Sequence, residues 1–141
     1  MLNNDHLNKL EIKKRLLEKL NTISGNQADQ ESQIMISYSA KKENYIDVND
    51  SEIDKDLINK ILKERIKGKP LAKIINEKGF WKNIFYTDDY TLDPRADSEI
   101  LVEQILNDCF KIKKKKKFKF LDLCCGTGCL GISIIDELEN S

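Results

Sequence analysis

Apolar positions in the first half of the chain recur at helical spacing. Leu7, Leu10, Leu16, Leu17 and Leu20, set among Lys and Glu, predict an amphipathic helix over residues 5–20. Ser24, Gly25 and Asn26 mark a turn within residues 22–30, after which Ile34, Met35, Ile36 and Tyr38 predict a second, shorter helix. Residues 41–50 are polar and read as a loop. Asn49, Asp50 and Ser51 offer capping oxygens to a third helix, with Glu52 and Asp54 in its first turn. Ile53, Leu57, Ile58, Ile61, Leu62 and Ile66 fall on one stripe of it. Lys60, Lys63, Arg65 and Lys67 load its far end ahead of Gly68 and Pro70. Three such helices on short loops have to bury their stripes against one another, which predicts a small helical bundle.

Beyond residue 70 the period changes. Two extended stretches, 71–75 and 80–86, flank Asn76-Glu77-Lys78-Gly79 and predict a β-hairpin. Phe80, Trp81, Phe85, Tyr86 and Tyr90 cluster there and are expected to pack the seam between bundle and sheet. Base stacking is the alternative, without a basic, aromatic-interleaved groove to support it. Asp97 or Ser98 caps a helix over residues 100–110, with Glu99 at its positive end and Ile100, Leu101, Ile105 and Leu106 as its apolar face. Residues 111–117 hold six lysines, which repel one another and predict an exposed connector. Phe118, Phe120, Leu121 and Leu123 then form an apolar run that ends in small residues. Leu130, Ile132, Ile134 and Ile135 resume at wider spacing, so the segment reads as buried strand, loop and helix.

Composition narrows the picture. Lys plus Arg and Asp plus Glu both number 24, so net charge argues for neither a nucleic-acid nor an anionic-membrane partner. No apolar run approaches ~18 residues and no apolar signal core opens the chain, which predicts a soluble, cytoplasmic protein. His6, the only histidine, is read as a surface residue. Of the four cysteines, Cys124, Cys125 and Cys129 lie in the small-residue turn; an adjacent pair plus one does not make the paired units of a zinc site, so no metal is expected. They and Cys109 read as small, weakly polar residues in a reducing compartment.

The turn is where chemistry shows. Gly126 and Gly128 let backbone approach a ligand, the helix start offers unpaired N–H groups, and Asp122 stands at the strand end as an acceptor facing the crevice. Read as Gly-x-Gly and without a Gly-Lys-Ser/Thr ending, the turn disfavours the P-loop and full dinucleotide-binding patterns. A nucleotide-like ligand, a phosphate and a plain tight turn remain open on these residues alone.

Asp122-Leu-Cys-Cys-Gly-Thr-Gly128 resembles motif I of class I S-adenosylmethionine-dependent methyltransferases. Two further stretches, Arg65-Ile-Lys-Gly68-Lys-Pro70-Leu71-Ala72 followed by Phe80-Trp81, and Leu92-Asp-Pro94-Arg95-Ala-Asp97-Ser98-Glu99, resemble the release-factor glutamine methyltransferases in order and spacing. The chain departs from that pattern at Asn76 for Gly, Asp93 for an aliphatic residue, Ala96 for Pro, Ser98 for Thr and Cys124 for Gly. The resemblance implies an α+β protein: a helical substrate-docking domain (1–69), a β-hairpin linker (70–96), and the first strand and helices of a truncated Rossmann-like methyltransferase domain (97–141). It implies S-adenosylmethionine as cofactor, lined by Asp122, Cys124, Cys125, Gly126, Thr127 and Gly128, with Arg95, Ser98 and Glu99 closing the cofactor side.

By the same resemblance the partners are peptide chain release factors, methylated on the glutamine amide of a Gly-Gly-Gln motif by a full-length monomer. That family holds the amide with an Asn-Pro-Pro-Tyr motif, which this sequence lacks, so no catalytic residue is named. Residue 141 falls before the acidic residue that follows a nucleotide-binding glycine loop by roughly 20 positions. The chain therefore reads as an N-terminal piece of a longer enzyme, inactive alone. Two alternatives stand beside it: a non-catalytic module that docks a release factor or the ribosome, and an RNA or DNA amine methyltransferase.

Overall fold

The structure, a computed structural model, describes residues 7–111 and 118–139, in the order α1 (Lys9–Ser24), α2 (Ala28–Ser39), α3 (Lys55–Ile66), α4 (Leu71–Ile75), β1 (Glu77–Phe80), β2 (Asn83–Tyr86), α5 (Glu99–Lys111) and α6 (Cys129–Glu139). The protein is α+β, mainly helical with one two-stranded antiparallel sheet. His6, the start of the first expected helix and residues 112–117 of the lysine connector lie outside the described residues. The chain forms two compact units, Met1–Ile75 and Asn76–Ser141.

In the first unit, α1 begins at a reciprocal cap. The Asn8 side chain accepts from Glu11 N–H at 2.9 Å, and the Glu11 carboxylate accepts from Asn8 N–H at 3.1 Å. Its buried stripe is Ile12, Leu16 and Leu20; Leu10, expected inside, is exposed because it lies on the opposite side of the turn. Met35 and Ile36 of α2 and Ile58, Ile61 and Leu62 of α3 pack into the same core. The third helix starts later than the sequence suggests. Asn49 caps a single 3₁₀ turn at Asp50–Glu52, and Asp54 is the cap of α3, accepting from Leu57 N–H at 2.9 Å. Arg65 of α3 reaches back to Glu31 of α2 through both oxygens, at 3.0 and 3.2 Å, and to the Ser24 hydroxyl at 3.0 Å.

The expected strand at 71–75 is the short helix α4. The Pro70 carbonyl accepts from the N–H groups of Lys73 and Ile74, and Leu71 and Ile75, one helical turn apart, are both buried in the first core. A hairpin does form, but displaced: the segment expected as its turn is β1. Glu77 pairs with Tyr86 and Phe80 with Asn83, leaving Trp81-Lys82 as the turn, with Trp81 left-handed at φ 55°. Asn76, where the family commonly has Gly, sits between α4 and β1 at φ 57°, a conformation Asn tolerates better than most residues.

In the second unit Phe80 and Phe85 meet edge to face at 6.3 Å and pack with Val102, Leu106, Cys129 and Ile134. The buried face of α5 is Val102 and Leu106; Ile100 and Leu101, expected inside, are exposed. Residues 118–122 are in neither helix nor strand, and Leu121 and Leu123 are 81% and 75% exposed, so the expected buried strand is not formed. A parallel strand takes its hydrogen bonds from neighbours, and among the described residues the other two strands pair with each other.

Candidate functional site

The second unit presents the glycine turn on a short scaffold. Between Leu123 and Cys129 the backbone enters the left-handed region three times, at Cys124 (φ 59°), Gly126 (φ 56°) and Gly128 (φ 75°). Gly128 N–H donates to the Cys125 carbonyl at 2.8 Å, and α6 opens with Ile132 N–H donating to the Gly128 carbonyl at 3.0 Å. A side chain on Gly126 would meet nothing within 4 Å, so open space lies beside the loop. Cys124, Cys125 and Gly126 are exposed, while Thr127 and Gly128 are half-buried. The first-turn N–H groups of Cys129 and Leu130 have no intrahelical acceptor, as at any helix start, and suit a carboxylate.

Asp122 does not stand alone at the edge of a crevice. Its Oδ2 accepts from Gly131 N–H at 3.2 Å, capping the first turn of α6 across the loop. A side chain on Gly131 would come within 3.2 Å of that oxygen and 3.5 Å of the Asp122 Cβ. Gly131 also completes a Gly-x-Gly-x-x-Gly run with Gly126 and Gly128, a signal that was in the sequence and is lost when only the first two glycines are counted.

The three residues expected to close the cofactor side behave differently from one another. Glu99 accepts from Trp81 N–H at 2.9 Å and so secures the hairpin turn. Arg95 is exposed, and Ser98 ends the 3₁₀ turn Ala96–Ser98 that leads into α5. The hairpin turn is held a second time, by α6: Trp81 Nε1–H donates to Glu137 at 2.7 Å, and Lys82 Nζ lies 2.5 Å from the same oxygen. The Lys82 ammonium, then the Trp81 indole, holds the Glu137 carboxyl below the usual carboxylate range. Sequence reading did not find this cluster, whose members are 18 and 56 residues apart. Asp93, a departure from the family pattern, accepts from the buried Thr87 hydroxyl at 2.7 Å.

All four cysteines are free thiols, Cys129 buried at the start of α6. Among the described residues no three His, Cys, Asp or Glu side chains gather as a metal ion would require, and no helix is long and apolar enough to cross a membrane.

No family model matches the sequence. Curated relatives do. The chain is 40% identical over 84 residues, 60% of its length, to a release factor glutamine methyltransferase of Leptospira interrogans, covering 29% of that protein. It is 37% identical over 95 residues to the protein of the same name from Haemophilus influenzae, covering 64% of this chain and 32% of that one. A bifunctional methyltransferase of Rickettsia typhi is 31% identical over 144 aligned positions, covering 88% of this chain and 28% of that protein. In class, then, the chain is an α+β relative of methyltransferases. Within that class it is a relative of the release factor glutamine methyltransferases, as its motifs suggest, and it spans about three tenths of the length of the curated relatives it matches.

Proposed function

We propose that this chain supplies the cofactor loop and the helical docking region of a release-factor glutamine methyltransferase. The observation that carries the reading is the loop: three left-handed residues ahead of α6, open space beside Gly126, and relatives of that name. Loop amides and the start of α6 would hold the carboxylate of the methionine end of S-adenosylmethionine, with Cys124, Cys125 and Thr127 around it. Bound there, the cofactor supplies a methyl group on a positively charged sulfur.

The acceptor is the glutamine amide of a Gly-Gly-Gln motif in peptide chain release factors. Its nitrogen is a poor nucleophile, so catalysis rests on holding it close to the methyl group and accepting its hydrogens. The second unit is then the opening of a Rossmann-like domain, in which further parallel strands would cover Leu121, Leu123, Ile132 and Ile135, all exposed here. Arg95, Ser98 and Glu99 stay candidates for the cofactor side.

A second reading has its own observation: the first unit buries a separate core and can serve as a docking module by itself. Calorimetry on the 141-residue chain separates the two. Heat on adding S-adenosylmethionine supports the enzyme reading. Binding of a release factor with no cofactor heat favours the module, and binding of tRNA instead moves the acceptor to nucleic acid.

A further inference from the structure

The loop is bracketed by one hydrogen bond whose acceptor is itself a candidate cofactor residue. Asp122 Oδ2 and Gly131 N–H are 3.2 Å apart and nine residues apart in sequence, and every left-handed residue of the loop lies between them. The absence of a side chain at Gly131 leaves the seat the carboxylate fills, since a Cβ there would press on that oxygen at 3.2 Å. The bond is made to the third residue of α6, where the helix start favours a negative charge. Bringing the ends of a loop of this length together costs entropy, and a bond across its mouth offsets that cost and narrows the conformations in which Gly126 and Gly128 are found.

Resting on the proposed function, we infer that Asp122 is a positioning residue: its carboxylate staples Gly131 and so shapes the cofactor loop, instead of touching the cofactor itself. The two roles differ in what they need from the side chain. A staple needs an oxygen acceptor, which the Asn side chain also has. A direct partner for the cofactor's ammonium group needs the negative charge.

The test compares Asp122→Asn and Asp122→Ala in the 141-residue chain, by hydrogen exchange of the Gly131 amide and by the response of the Gly126 and Gly128 amide shifts to S-adenosylmethionine. For Asp122→Ala the Gly131 amide should exchange at least about tenfold faster and the cofactor response should weaken by a similar factor. Asp122→Asn should keep both within about threefold of the parent. Unchanged Gly131 exchange in Asp122→Ala overturns the staple. Equal loss of cofactor response in both variants, with Gly131 still protected in Asp122→Asn, overturns it in favour of a direct charged contact. Should Asp122→Ala fail to fold, Asp122→Asn against the parent still decides: a kept response supports the staple, and a lost one with Gly131 protected contradicts it. If the parent shows no cofactor response, the functional reading fails while the exchange comparison still reads the staple.

Discussion

Trp81 and Glu137, 56 residues apart, meet through an indole N–H donated to the carboxylate at 2.7 Å. The same carboxylate receives Lys82, so the hairpin turn and α6 are locked by one acidic group. Because α6 is also the helix that the glycine loop opens, the hairpin steadies the body from which the loop projects.

Acid should loosen this lock. The Lys82 ammonium and then the Trp81 indole lower the Glu137 carboxyl below its ordinary value, so the group binds protons less readily folded than unfolded. Its stabilising contribution is therefore complete above the ordinary glutamate range and is lost as pH falls through the lowered folded value. Trp81 is the only tryptophan, and its emission reports the site directly. Between neutral and acidic pH the thermal midpoint read by Trp81 should fall, and Lys82→Met should flatten that dependence. An identical pH profile in the variant would remove Lys82 from the account.

Arg65 belongs to the stretch that resembles the family, yet the structure gives it a structural task in the first unit. Its side chain and that of Glu31 are 13% and 12% exposed. Glu31→Gln should cost about 1.5–3 kcal/mol, the worth of a hydrogen bond to a charged group. Combining it with Arg65→Met should cost less than the sum of the two single changes, because no charge is then stranded. Urea unfolding of the four proteins checks this, and strict additivity would contradict it.

Cys124 sits at φ 59° where the family commonly has Gly. Left-handed strain of about 1–2 kcal/mol exceeds the extra chain freedom of about 0.5–1 kcal/mol that glycine brings. Cys124→Gly should therefore stabilise the chain, by up to about 1.5 kcal/mol, in chemical denaturation. Cys125→Gly should not, since Cys125 is not among the left-handed residues. A loss of stability in Cys124→Gly would show that its thiol makes a contact worth more than the strain.

How much of this could be read in advance follows from the range over which each feature is determined. Helices α1, α2 and α3 were legible because the 3.6-residue period is local, but α2 begins at Ala28, inside the stretch read as a turn, with no side-chain cap to mark its start. The start of α3 was not, because Asn49 and Asp54 are both good caps and only tertiary packing chooses between them. Leu71–Ile75 fits either period over five residues, so the sequence alone did not distinguish α4 from a strand. β1 reads as a loop because Glu77, Lys78 and Gly79 are polar or small and exposed; its strand character comes from pairing with β2. At the candidate site the left-handed glycines announce themselves, whereas Glu99 bonded to Trp81 and Asp122 bonded to Gly131 are visible only once the chain is folded.

The most direct measurement of the central claim is an amide-shift titration of the isotopically labelled 141-residue chain with S-adenosylmethionine. Gly126, Gly128, Cys129 and Leu130 should move together and saturably, while the amides of α1, α2 and α3 stay in place. Loop amides that remain still throughout the titration, or shifts confined to the helical unit, would contradict the account.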